Sequence, residues 1–174
     1  MVRYLWGLLG VLWLAGCQSA PVETGLSPAQ FFLEARVSLR SEDASGRGQL
    51  SWVQQGEAYR VTAFGPFGTG LVVLEGTGQS ATLLQNGQVQ VVAPDALLAG
   101  WMARPPPFSA LPHWFLGRPS PGHGAVRGRG EGRFEQAGWA VRFRQDAAGR
   151  PEQVILTQGA TTFTLAPYRW ERTP

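Results

Sequence analysis

Apolar and polar residues alternate with a period of two through most of this chain, and a turn interrupts them about every ten residues. Ala35, Val37 and Leu39 alternate with Arg36, Ser38 and Arg40. After a turn at Glu42 to Gly46 the pattern returns with Leu50 and Trp52. Gln55-Gly56 then leads into Glu57 to Phe64, followed by Gly70 to Glu75 and Ser80 to Gln85. Asn86-Gly87 opens the way to Gln88–Ala93. Asn-Gly is a strong hairpin signal, because both residues accept the positive φ of a tight turn. Later in the chain Arg133 to Gln136, Trp139 to Gln145, Gln153 to Gln158, Thr161 to Ala166 and Tyr168 to Glu171 resume the alternation. Short turns make neighbouring strands antiparallel. The expectation is an antiparallel meander of about ten or eleven strands.

Two segments break the period. Ser27-Pro28 reads as the start of a brief helix through Leu33, with Ser as N-cap and Pro at the first helical position. In mid-chain, Pro94-Asp95 caps a short apolar helix through Met102, and Pro105-Pro106-Pro107 forces an extended break. Ser109 then starts a second helical stretch, Ala110 to Leu116. Neither helix has much polar face, so both should be covered on most sides. A plug lying on the concave face of a curved sheet is the expected arrangement. Arg118 to Arg133 is rich in Gly, Pro and Arg without periodicity and reads as a mobile loop. Arg127, Arg129 and Arg133 invite a phosphate cradle, but no strand-to-helix context supports one, so a solvated loop is the better reading. A contact to anionic head groups is the weaker alternative.

One turn is chemically unusual. Gly65-Pro66-Phe67-Gly68 joins two apolar runs, and glycine and proline there are ordinary turn residues. Phe67 is a large aromatic at a tip that is normally solvated and polar. Either it folds back onto the core, or it projects and marks a membrane or partner contact.

The N-terminus carries an address. Arg3 is a short positive region, Tyr4 to Leu14 an apolar one, and Leu14-Ala15-Gly16-Cys17 looks like a bacterial lipobox. The apolar run is too short to span a bilayer. Residues 1–16 are read as a lipoprotein signal peptide, Cys17 as the lipid attachment site, 17–26 as a lipidated tether and 27–174 as one domain. The alternative is an ordinary signal peptide with an incidental cysteine. Cys17 is the sole cysteine, so neither an internal disulfide nor a thiolate metal site is available. Several acyl chains together anchor stably where one does not. Gln18 follows the cysteine; in lipoproteins of this kind an Asp there signals inner-membrane retention, so the outer membrane is expected, with the domain facing the periplasm. A formal charge of +3 with arginines scattered along the chain does not suggest nucleic-acid binding.

No catalytic constellation is visible. His113 and His123 are the only histidines, and neither lies near a carboxylate or cysteine pattern. Asp43, Asp95 and Asp146 look like turn or cap residues. No nucleophile elbow, metal spacing or nucleotide loop is present, so neither an enzyme nor a cofactor is expected. What is abundant is apolar aromatic surface: Trp52, Trp101, Trp114, Trp139 and Trp170, with Phe64, Phe108, Phe115, Phe134 and Phe143. These either pack a solid core or wall a cavity for acyl chains.

Several short motifs recur in a telling order. Ser51-Trp52 closes an early strand, and Tyr59-Arg60-Val61 runs into Gly65-Pro66-Phe67-Gly68 and Leu71 to Leu74. Leu111-Pro112-His113-Trp114-Phe115-Leu116-Gly117-Arg118-Pro119 follows, then Gly138-Trp139-Ala140-Val141 before Pro151, and a closing Tyr168-Arg169-Trp170. In order and spacing these resemble the LolB family, outer-membrane receptors of the lipoprotein-sorting pathway. The resemblance covers nearly the whole chain after Cys17. It implies an incomplete antiparallel β-barrel whose helices lid an apolar cavity, a monomer, and no cofactor. The expected cavity walls are Trp52, Val61, Val72, Leu74, Leu97, Leu98, Trp101, Trp114, Phe115, Trp139 and Phe143. It also implies that lipoprotein acyl chains arrive from the periplasmic carrier LolA and leave into outer-membrane lipids. The family's protruding loop carries an apolar residue, usually Leu, and Phe67 stands at that place, which favours projection. The short tether and the Gly/Arg-rich stretch at 118–133 depart from the family pattern. The alternative function is a structural or assembly lipoprotein that transfers no lipid.

Overall fold

The structure, a computed structural model, describes residues 30–42, 45–65, 70–78, 80–99 and 102–172. The signal peptide, Cys17, the tether, Ser27-Pro28, Asp43, Pro66, Phe67, Gly68 and Trp101 lie outside the described residues. The first six strands are β1 Gln30–Arg40, β2 Ser45–Gln55, β3 Ala58–Gly65, β4 Gly70–Thr77, β5 Ser80–Gln85 and β6 Gln88–Val92. The other five are β7 Arg127–Gly130, β8 Arg133–Gln136, β9 Trp139–Gln145, β10 Pro151–Gln158 and β11 Thr161–Arg172. Between β6 and β7 come two short helices, α1 Pro94–Ala99 and α2 Leu111–Phe115, with a 3₁₀ turn Phe108–Ala110 before the second.

All 11 strands form one sheet, in the order β6-β5-β4-β3-β2-β1-β11-β10-β9-β8-β7. Each neighbouring pair is antiparallel. The sheet is open: β6 and β7 are its two edges, and the helical insert connects them. The long central pair β1–β2 shows why the sheet curves around a core. Phe31, Leu33, Ala35, Val37 and Leu39 are all buried on one side of β1, while Arg36 and Arg40 point outward. Trp52 continues that inner face on β2, and Val141, Val154, Leu156 and Leu165 continue it toward the other edge. An incomplete antiparallel barrel with a helical insert is therefore the architecture, as the alternation required.

Three expectations change. Residues 30–33 are strand, not the end of a helix. Ser-Pro is a local start signal, but Phe31 and Leu33 fall in phase with Ala35, and both flanking strands pair with them. Phe31 also stacks on Trp170 at 5.0 Å, so tertiary packing outweighs propensity. Second, residues 127–130 form strand β7, hydrogen-bonded to β8 across the Glu131-Gly132 turn, where Gly132 takes φ +67. Third, the last two expected strands are one, β11. It continues through Pro167 because a bulge beside Ala35 accommodates a residue with no N–H.

One buried side chain ties the insert to the far half of the sheet. The Gln136 carbonyl accepts hydrogen bonds from Trp114 Nε1 at 3.0 Å and from the Ser120 N–H at 2.8 Å. Its amide donates to the Ser120 carbonyl at 2.7 Å. Gln136→Leu would leave two buried donors without an acceptor, at roughly 1–3 kcal/mol each. We expect a loss of about 2–4 kcal/mol in guanidinium unfolding with an unchanged m-value; a loss under about 0.5 kcal/mol would show the network to be dispensable.

Candidate functional site

The inner faces of β1–β4 are not fully filled by the insert. An apolar hollow of about 110 Å³ remains between them. Trp52, Val61, Ala63, Val72 and Leu74 form its floor, together with Val37, Leu39 and Leu50. Pro94, Leu97 and Leu98 from α1 form its roof, with Met102, Phe108, Leu111 and Phe115 along one side and Phe163 from β11. Every lining residue is apolar, so nothing in it would hold a water, and a hollow of this kind stays dry.

Aromatic packing fixes the side wall. Trp52 stacks on Phe108 with centroids 5.1 Å apart and meets Phe115 edge-on at 5.5 Å. The Trp52 indole N–H reaches Gln54 Oε1 at 2.8 Å, so this buried polar atom is satisfied without water. Asp95 is not a helix cap. Its Oδ1 accepts the Phe108 N–H at 2.7 Å and so ties the first turn of α1 to the 3₁₀ turn. The roof is less fixed: Leu97 and Leu98 are only half-buried, and α1 is 6 residues long.

The expected wall residues divide. Trp52, Val61, Val72, Leu74, Leu97, Leu98 and Phe115 meet around the hollow. Trp114, Trp139 and Phe143 do not. Trp114 follows a different face of α2 from its neighbour Phe115 and is buried against Gln136. Trp139 is buried on β9 beside the turn that precedes it. Phe143 packs against Gly117, where a Cβ would stand 2.6 Å from the ring. On the half of the sheet from β8 to β10, Phe134, Trp139, Val141, Val154 and Leu156 are buried, and the apolar hollow lies over β1–β4.

The hairpin that reaches toward Phe67 is described up to its last strand residues. Phe64 and Leu71 oppose one another on the outward face, 60% and 52% exposed. Phe64, expected in the interior, is one step out of phase with Tyr59, Val61 and Ala63 and so faces solvent. Gly65 has φ +134, and a Cβ there would lie 2.7 Å from Gly48 Cα. No other residue fits this entry to the turn. The exposed apolar pair escaped the sequence reading, although strand parity alone could have revealed it.

Among the described residues, neither histidine is hydrogen-bonded to a carboxylate. His123 Nε2 lies 3.1 Å from Ser109 Oγ, and its Nδ1 is 2.9 Å from Ser120 Oγ and 3.0 Å from the Pro121 carbonyl. No carboxylate orients it among these partners. Among the described residues, no group of His, Cys, Asp and Glu is arranged to hold a metal.

The comparisons with known proteins bear on this arrangement. The family described as Outer membrane lipoprotein LolB matches residues 29–170. The chain belongs to the LolB family. An outer-membrane lipoprotein LolB from Halorhodospira halophila is 34% identical, over 98% of this chain and 95% of the relative. Those from Chromohalobacter salexigens and Dechloromonas aromatica are 29% and 31% identical, over 95% and 96% of this chain and 88% and 96% of theirs. The family match begins just before β1 and runs to Trp170, so it spans the insert and all of the sheet but the last two residues of β11.

Half-burial lowers the pKa of His113, and the nearby His123 and Arg118 charges lower it further. A depressed folded-state value means that the unfolded chain binds the proton better. The stability from neutral His113 is present above about pH 6.5 and is lost as pH falls through the folded value. His113→Gln should therefore flatten the fall in unfolding midpoint between about pH 8 and pH 5. An identical pH slope in the variant would count against this linkage.

Proposed function

We propose that this LolB family member is an outer-membrane receptor, anchored through Cys17 and facing the periplasm. In this reading it accepts acylated lipoproteins from the carrier LolA and passes them into the membrane. Family membership and one structural observation support it: a wholly apolar hollow under a short helical roof. The physical need is large. One acyl chain of about fifteen methylenes costs on the order of 12 kcal/mol to expose to water. A cargo with several such chains must therefore move from one apolar enclosure to another. The receptor needs only a small advantage over the carrier, since about 1.4 kcal/mol shifts the partition tenfold.

The hollow is far smaller than the roughly 300–1,000 Å³ typical of sites for sizeable ligands. In this account, acceptance requires α1 to lift away from β3 and β4. The roof suits that movement: Leu97 and Leu98 leave the hollow while the Trp52–Phe108–Phe115 wall stays in place. Acyl methylenes then replace the lost side-chain contacts. Delivery is assigned to the turn Gly65-Pro66-Phe67-Gly68, with Phe67 touching the bilayer. The exposed Phe64–Leu71 pair and the conformation forced on Gly65 support that assignment.

Two outcomes test the reading. A Cys17→Ala form should still take lipoprotein from the loaded carrier in solution, as followed by co-purification. Failure to do so would leave the structural, non-transferring lipoprotein as the better account. Phe67→Glu should accept cargo normally but slow delivery to vesicles by roughly thirtyfold or more, the penalty for pressing a carboxylate against a bilayer. Normal delivery by that variant would remove the turn from the mechanism.

A further inference from the structure

We propose that the outward face of the sheet, at the end that carries the β3–β4 turn, holds the phosphate group of a membrane phospholipid. The proposal rests on the reading above in taking the membrane as the surface where the protein works and Cys17 as its anchor there. Two cross-strand rows build the site. Thr164, Ser38 and Arg47 stand side by side on β11, β1 and β2, and Thr162, Arg40 and Ser45 form the next row. Together they line a shallow groove of about 370 Å³.

The charge arrangement calls for an anion. Arg47 lies diagonally across from Arg40 on one side and from Arg36 on the other. Diagonal neighbours of an antiparallel pair are about 7–8 Å apart, so long side chains on them can converge on one group. Like charges at that distance repel. Among the described residues none of the three makes an ion pair. Among the described residues, Glu42, exposed in the adjoining turn, forms no ion pair with them. Two guanidinium forks with neighbouring hydroxyls match a phosphate, which accepts charge-assisted hydrogen bonds from several directions.

The position selects a lipid phosphate. Arg36, Gln49, Phe64 and Leu71 occupy one continuous row across β1 to β4. At about 4.8 Å per strand, Phe64 lies roughly 10 Å and Leu71 roughly 14 Å from Arg36 along that row. Apolar side chains beside basic ones are the signature of a surface that rests on an anionic bilayer. Chain length agrees. Cys17 precedes Gln30 by 13 residues, a reach of at most about 45 Å when extended. β1, with 11 residues, spans about 36 Å from that end of the sheet to the groove. An anchor at Cys17 therefore lets the groove face the same membrane.

The test uses the mature chain with Cys17→Ala, so that no acyl anchor masks the contact. Binding is measured by co-sedimentation with vesicles of phosphatidylethanolamine and phosphatidylglycerol. Arg40→Gln with Arg47→Gln should weaken it about thirtyfold, the effect of two basic residues held at an anionic surface. Removing equal charge from the opposite edge, Arg127→Gln with Arg129→Gln, should weaken it by less than about threefold. Inorganic phosphate at millimolar concentration should not displace the protein. An unchanged affinity in the first double variant, an equal loss in the second, or displacement by inorganic phosphate would each overturn the proposal. Neither carrier nor cargo is present, so failure here leaves the acceptance step untouched.

Discussion

Trp52 is the point on which the arrangement depends. It lies on the inner face of a central strand, and the second part of the mid-chain insert, from Phe108 to Phe115, presses against it. Stacking on Phe108 and edge contact with Phe115 place the insert over β1–β4 and hold it clear of the floor. Large aromatic rings bury much area but pack only in certain geometries. Here they act as struts. Tyr59 leans on Trp52 and Phe108 from the other side and completes the cluster.

The open sheet follows from the same insert. A closed barrel removes its edges by pairing them, but here the chain between β6 and β7 must cross the concave face and cannot let those edges meet. The two halves then take different roles. From β8 to β10 the interior is held by Gln136 and by the contact of Phe143 with Gly117. Over β1–β4 the interior keeps an apolar hollow, roofed by the 6-residue α1. A filled half beside a half that keeps apolar space is an arrangement that suits a binder of flexible acyl chains.

Much of this was legible from the chain. Period-two alternation and Gly-containing turns placed nearly every strand, because in an antiparallel sheet each strand declares its buried face. The helical insert stood out through its prolines and its lack of a polar face. The errors share one cause: a local signal set against a long-range partner. Ser27-Pro28 suggested a helix, but Phe31 and Leu33 answer to β2 and β11. The glycines and arginines at 127–130 suggested a loop, yet β8 offered a free edge. The division of the aromatic residues was not readable, since Trp114 and Phe115 are adjacent and only the docking of α2 sends one to Gln136 and the other to the hollow. The basic groove was invisible for the same reason: Arg40, Arg47 and Thr162 become neighbours only through register.

The central claim is that acyl chains enter the hollow over β1–β4. A photoreactive benzoylphenylalanine at Leu98, in the roof, tests it most directly against the same group at Val91, which is 79% exposed on β6. With lipoprotein-loaded carrier present, irradiation should join the Leu98 probe to the cargo's acyl chains and leave the Val91 probe unreacted. Equal labelling at both positions, or none at Leu98 while cargo is bound, would contradict the account.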